Sequence, residues 1–396
     1  MIRRTFLIIV GMLGLDFMAI FSIESSFIKR LYYKIEGLFK SPAKLPPDSE
    51  KLEAELPPEG ETISVEMALN SRCTSDYDGN SKKFHWGMFD GSRRLSETQI
   101  KKIIHLARIP RFTGRKVEIQ CEHNMLTFVI DNHVSGLVRD WMMVESGMQQ
   151  QAIALVCAAL GVGMLFRGLG ENGAVVSDTE YATVKVKLDA MRPSYDGSYW
   201  TSSPPAGTKS WLRGNLLDPV RNGNKPLISA FKGLKIENRD GKKSTDESIS
   251  QLLWANRGRT PHFYKSRPWG MTVPASGGEQ NASSVYLIRD DKLFKYVNWH
   301  KNRPTHSLEM LGKIDLDVYN QLMRLFPFHN SFIVIGKNID FATALLEVGY
   351  QLLNLVLQAQ ALGLSYETIL LDENQKEIFR SVGIKDTVCA FLLRHK

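Results

Sequence analysis

The chain has 396 residues, 43% hydrophobic and 23% charged, which suits two ordinary domains with cores of their own and excludes a disordered protein. Its net charge of +8 is mildly basic, yet no arginine-rich run, zinc-finger spacing or aromatic-spaced RNA motif accompanies it, so no nucleic-acid partner is expected. Nine scattered histidines lack an H-E-x-x-H pair and four cysteines lack a C-x-x-C pair, so no metal site is expected either.

In chain order, residues 1–30 come first. Arg3-Arg4-x-Phe6-Leu7 opens an apolar run to Ile23 and has the form of a twin-arginine export signal. No small-x-small cleavage site follows, so the segment is expected to remain as a membrane anchor with the body on the periplasmic side. The alternative is an amphipathic helix packed on the body. Residues 31–62, rich in Pro and acids, read as an extended linker.

A first half is expected over residues 63–193. Ser96 to Arg108 has a serine cap and a helical period, and Leu126 to Ile130 reads as a short strand. Residues 168–173 spell G-x-G-x-x-G, but they follow a helix and precede the strand-like run Tyr181 to Leu188. A dinucleotide fold needs the opposite order. Residues 194–230, rich in turn formers, read as a crossover to a second half over 231–396. A bridge between Cys73 and Cys121 is one option for an oxidising compartment, and Cys157 reads as core.

The central feature is a repeat. Glu145 to Gly161 (ESGMQQQAIALVCAALG) aligns without a gap to Glu347 to Gly363 (EVGYQLLNLVLQAQALG), 202 residues later. Seven of seventeen positions are identical, where roughly one is expected by chance. In the second copy Val348, Leu352, Leu355, Val356, Ala359 and Leu362 recur at helical spacing, while Gln351, Asn354 and Gln358 share the opposite stripe. So few charges on a helix point to burial on most sides, as at an interface. Two copies are too few for a solenoid and suit a two-fold dimer written on one chain.

E-x-G-x-x-Q-x(5)-L-x-A-x-A-L-G-L resembles the central helix of the nitroreductase-like flavoprotein superfamily, in particular its azoline-dehydrogenase (SagB-type) branch. Ser250-Gln-Leu-Leu-Trp-Ala255 and Pro274-Ala-Ser-Gly-Gly278 leading into Val285-Tyr-Leu-Ile288 are similar to two further elements of that branch. The resemblance covers about 235 to 394 and, more weakly, about 65 to 193. It implies an α+β fold with a central, mainly antiparallel sheet flanked by helices. Here two tandem copies would form an intramolecular pseudo-dimer, monomeric as a chain, that binds FMN between its halves.

The family's R-x-S-x-R element is matched by Arg72-Cys-Thr74 in the first half and by Arg239-Asp-Gly-Lys-Lys243 in the second, neither intact. The resemblance therefore implies a first-half FMN site from Arg72, Thr74, Arg167, Gly168 and Arg192, completed across the interface by Pro274, Ser276 and Gly277. A poorer mirror site would combine Arg239, Lys243, Tyr366 to Leu371 and Arg394 with Arg111 to Gly114. Ordinary solvated surface charge is the competing reading of these arginines and lysines.

Two functions follow. One is an FMN-dependent oxidoreductase acting on an exported small molecule, peptide or redox partner, with a quinol or redox protein exchanging electrons. No protein nucleophile is needed for that chemistry. The other is a flavin-free relative that kept the fold as a binding or scaffold protein.

Overall fold

The computed structural model describes residues 52–58, 63–72, 75–76, 87–88, 93–167, 174–190, 200–201, 211–264, 267–268, 270–274, 282–301, 303–340 and 342–395. They fall within one unit, Pro46–Lys396. The leader expected over 1–30, most of the linker, the glycine-rich stretch 168–173, and Cys73, Thr74, Gly168, Arg192, Ser276 and Gly277 lie outside them.

Two long helices carry the architecture. The first repeat lies in α3 (Gly136–Leu160) and the second in α7 (Ala342–Ala361). Gly161 and Gly363 follow them at φ +69° and +66°, the left-handed conformation that ends a helix and that glycine adopts without strain. Both helices begin before the repeated stretch: α3 runs nine residues upstream of Glu145, burying Met142, Met143 and Val144.

The same connection surrounds each helix. In the first half the strands are β1 (Glu118–Glu122), β2 (Met125–Asp131), β3 (Val162–Arg167) and β4 (Glu180–Ala190), paired antiparallel in the order β1-β2-β4-β3. In the second, β5 (Glu237–Asn238), β6 (Ser283–Arg289), β7 (Lys292–His300), β8 (Arg303–Lys313), β9 (Ser331–Lys337), β10 (Tyr366–Leu370) and β11 (Thr387–Leu393) pair antiparallel as β5-β10-β11-β9-β6-β7-β8. Strand β2 leads into α3 and then β3 and β4, with β4 lying between β2 and β3. Likewise β9 leads into α7 and then β10 and β11, with β11 lying between β9 and β10. Among the described residues, parallel pairing is confined to two-residue strands and isolated bridges.

The two repeat helices cross at their glycines. A Cβ on Gly147 would lie 2.2 Å from the Leu346 carbonyl oxygen, and one on Gly349 would lie 2.0 Å from that of Val144. The 202-residue offset that relates Gly147 to Gly349 also relates Val144 to Leu346, so the contact is reciprocal. Only the missing side chains allow backbones this close.

Shorter helices complete the layers: α1 (Val65–Ser71), α2 (Glu97–Leu106), α4 (Leu227–Lys232) and α5 (Asp246–Arg257) around the crossing, and α6 (Leu316–Leu325) and α8 (Glu373–Ser381) farther out. Helix α2 starts with a full capping box, Ser96 with Gln99, which ties down two otherwise free backbone donors. The main core joins the repeat helices, α1, α2, α4, α5 and the inner sheet faces. A smaller core packs α6 and α8 on the other face of the seven-stranded sheet through Leu322, Phe326, Phe332 and Phe379.

Cys157 is buried, as expected. Cys121 is a free thiol on the exposed strand β1, its Sγ toward the His123 carbonyl, and its suggested bridge partner Cys73 lies outside the described residues. Among the described residues no helix is long and apolar enough to cross a membrane.

Candidate functional site

The polar stripe of α7 faces inward, where each buried amide needs a partner. Gln351 donates to Ser283 Oγ at 2.5 Å, and Gln358 donates to Glu66 Oε1 at 2.7 Å. Asn354 donates to the Ala255 carbonyl at 2.9 Å and accepts from Gln151 Nε2 of α3 at 2.9 Å. Beside them Glu347, fully buried, pairs with Arg257 at 2.8 Å and accepts from Ser283 Oγ. Its counterpart Glu145 accepts from the backbone and hydroxyl of Thr113, so each repeat begins with a carboxylate that holds a loop.

This seam fixes residues 270–274. The Thr272 carbonyl accepts from Gln151 at 3.0 Å, Asn354 at 3.3 Å and Arg72 Nε at 3.3 Å, and the Met271 carbonyl accepts from Arg72 Nη2 at 3.0 Å. Arg72 is thus brought to residues 271–272, just before Pro274, where it is 6% exposed and directed at carbonyls. Pro274 is half-buried at the end of the fixed segment, and Arg167 ends β3 opposite Lys185. Nearby His262 is pushed down to about 3, chiefly by burial and then by Arg72.

The mirror set lies at the far end of the seven-stranded sheet. Arg239 is exposed, paired with Glu237 at 3.3 Å, and borders a cleft of about 480 Å³ lined by Pro110 and residues 234–240. Lys243 is exposed in a segment whose neighbours are fixed: Lys242 N donates to the Gly363 carbonyl and Ser244 N to that of Arg394. Arg394 follows β11. Its guanidinium lies 5.8 Å from the Phe328 ring centroid, and its Nε is buried without a hydrogen bond. Arg394 and Arg239 both act electrostatically on His329. Sequence reasoning missed Phe328 and His329; the available signal was the Pro327-Phe-His-Asn330 turn just before an apolar strand.

A third cluster was also missed. Tyr296 donates to His306 Nδ1 at 2.9 Å, His306 Nε2 donates to Ser250 Oγ at 3.0 Å, and Ser250 donates to the Leu217 carbonyl at 3.1 Å. The three side chains are buried and the serine proton is held by a carbonyl, so the chain acts as a staple between α5, the β7–β8 hairpin and residue 217 rather than as a nucleophile. Burial, with Arg221 adding, lowers His306 from 6.5 to about 4. His306 and His262 are therefore neutral in the fold and take up protons on unfolding. Stability falls as pH drops below about 6.5, and the His306 part levels off near 4, a loss on the order of a few kcal/mol. Imidazole NMR should show neither ring titrating in the folded protein down to about pH 5; a midpoint near 6.5 for both would refute this.

No protein-family model matches the sequence, and no curated protein matches it. Among solved structures, a candidate nitroreductase from Ralstonia eutropha is similar at 19% identity, over 49% of this chain and 94% of its own, with a TM-score of 0.35. A candidate nitroreductase from Anabaena variabilis is similar at 10% identity over 69% of each chain, with a TM-score of 0.46. Likenesses this distant carry no residue roles across.

Proposed function

We propose that the chain is an FMN-dependent oxidoreductase of the nitroreductase-like class, with two halves arranged as a dimer within one polypeptide. The observation that carries the two-half reading is the reciprocal glycine crossing, supported by the matching strand order around each helix. The azoline-dehydrogenase resemblance of the α5, Pro274 and α7 elements supplies the link to flavin.

The chain's residues fit the phosphate end of such a cofactor at Arg394 and Arg239. Arg394 has a buried N–H with no acceptor, and Arg239 presents an exposed guanidinium. A charge-assisted bond to a phosphate oxygen would satisfy the first. Arg72 Nε and Nη2 already serve two backbone carbonyls. FMN when bound would supply hydride or electron transfer. The polar seam would hold 270–274 in place, and Arg239 and Arg394 would orient the phosphate.

The substrate is proposed to be a small molecule or peptide, with a quinol or redox protein as electron partner. The twin-arginine-like start favours export in the folded state with retention at the membrane. One observation favours a second reading, a flavin-free scaffold: the inward-turned Arg72 of the first half. Visible flavin absorbance of the purified protein separates the two. With FMN bound, Arg394→Gln should weaken it about tenfold. Arg72→Ala should chiefly lower stability. Protein that never takes up FMN would overturn the oxidoreductase reading.

A further inference from the structure

The first turns of α3 bring two unsatisfied groups to one cavity. Asp140 and Trp141 precede the repeated stretch. At the 202-residue offset the chain has Ala342 and Thr343, so the pair has no counterpart in the second repeat. Both line a cavity of about 200 Å³ bounded by the end of β9, by α8 and by the start of β11. The indole N–H of Trp141 is buried without an acceptor, which folded proteins seldom tolerate. The Asp140 carboxylate is half-buried and makes no ion pair or hydrogen bond among the described residues. Burial holds that carboxyl above its ordinary range; Lys337 and Lys376 pull it down, while Asp340 and Glu373 push it up.

The cations around the cavity are already matched. Lys337 pairs with Asp340 at 2.5 Å, Lys376 pairs with Glu373 at 2.8 Å, and Arg380 pairs with Glu377. Asp386 adds a further carboxylate to the lining. A simple anion would therefore meet Asp140 and Asp386, and a simple cation would meet three basic groups. What is lacking is one acceptor for the indole and one donor for Asp140. Leu137, Val388 and the Trp141 ring supply apolar lining beside them. A volume of about 200 Å³ equals that of about six or seven liquid waters, enough for a molecule of about six to nine non-hydrogen atoms and far too small for a flavin.

We propose that this cavity binds a small aliphatic α-amino acid as its zwitterion, the carboxylate accepting from Trp141 Nε1 and the ammonium donating to Asp140. Such a ligand carries the missing acceptor and the missing donor one carbon apart. It brings no net charge to a balanced lining and lays its side chain against Leu137 and Val388. Lys337 is held by Asp340, whose side chain is 94% exposed; a pair that open is weak, and the lysine can turn to the ligand carboxylate. The site is separate from the proposed flavin phosphate contacts at Arg394 and Arg239 and does not depend on them.

Calorimetric titration of the purified full chain with L-valine and its two truncated analogues tests this. L-valine should bind, and 3-methylbutanoate, which lacks the ammonium, and isobutylamine, which lacks the carboxylate, should each bind at least about tenfold more weakly. Asp140→Asn should weaken L-valine about tenfold and leave 3-methylbutanoate unchanged or tighter. Trp141→Phe keeps the ring but removes the N–H, and should weaken L-valine and 3-methylbutanoate alike, by about threefold. Asp140→Asn removes no internal partner, so its melting temperature should hold. 3-Methylbutanoate bound as tightly as L-valine would show an anion site, and isobutylamine bound as tightly would show a cation site; either overturns the proposal. Unchanged L-valine affinity in Asp140→Asn would place the ligand elsewhere and overturn it too. So would absence of binding by both L-valine and L-leucine at about 10 mM, a result that needs no variant to fold.

Discussion

Gly349→Ala should cost about 3 kcal/mol or more of folding stability, and Gly147→Ala a similar amount. Alanine is ordinarily the better helix residue by about 1 kcal/mol, so the intrinsic preference runs the other way. Sterics decide the sign. The added Cβ at 349 would meet the Val144 carbonyl oxygen at 2.0 Å, the Met148 nitrogen at 2.8 Å and Gly147 Cα at 2.9 Å. These are backbone atoms of a helix, with no flexible side chain to swing away. Relief requires moving α3 from α7, which opens voids along a core containing Leu352, Leu355 and Ile153. The double substitution should cost less than the sum of the singles, since one separation accommodates both methyl groups. Urea unfolding followed by circular dichroism measures this; a Gly349→Ala protein as stable as wild type would show that the helices are not in such close contact.

The second large effect is expected at the buried ion pair. Glu347→Ala leaves the Arg257 guanidinium, 6% exposed, without its carboxylate, and should cost about 3–5 kcal/mol. Ser283 and Gln351 lose an acceptor at the same time. Replacing both partners, Arg257→Met with Glu347→Leu, should recover much of the loss, because no uncompensated charge remains buried. Recovery should fall short of complete, since Arg257 also donates to the Ser283 carbonyl at 2.7 Å and closes the segment between α5 and β6. That segment contains the 270–274 loop, so the single variant should also become more sensitive to limited proteolysis there. Wild-type stability and proteolysis in Glu347→Ala would refute the assigned role.

Both effects depend on contacts between residues far apart in sequence, and the boundary between legible and hidden runs through those contacts. The repeated helices were readable because their period, their lack of charge and the glycine after each are local properties. So were the Ser96 cap and the strand around Leu126 to Ile130, set by side-chain and backbone preferences within a few residues. The start of α3 at Gly136 was not readable: its first turns have no side-chain cap and take their stability from long-range packing. Gln351, Asn354 and Gln358 could be placed on one stripe, but their partners Ser283, Ala255, Thr272 and Glu66 lie far away in sequence.

The arginines divide in the same way. In the sequence Arg72, Arg239 and Arg394 are equivalent cations near degenerate motifs, and charge alone cannot rank them. Packing turned Arg72 inward onto two carbonyls, left Arg239 in solvent, and buried one N–H of Arg394 without an acceptor beside a strained phenylalanine. Sequence determined by itself that two like helices would be buried, because periodicity and composition travel with the chain. Tertiary structure decided which glycines would touch and which cations would turn inward onto carbonyls, because those depend on distances between residues that only folding brings together.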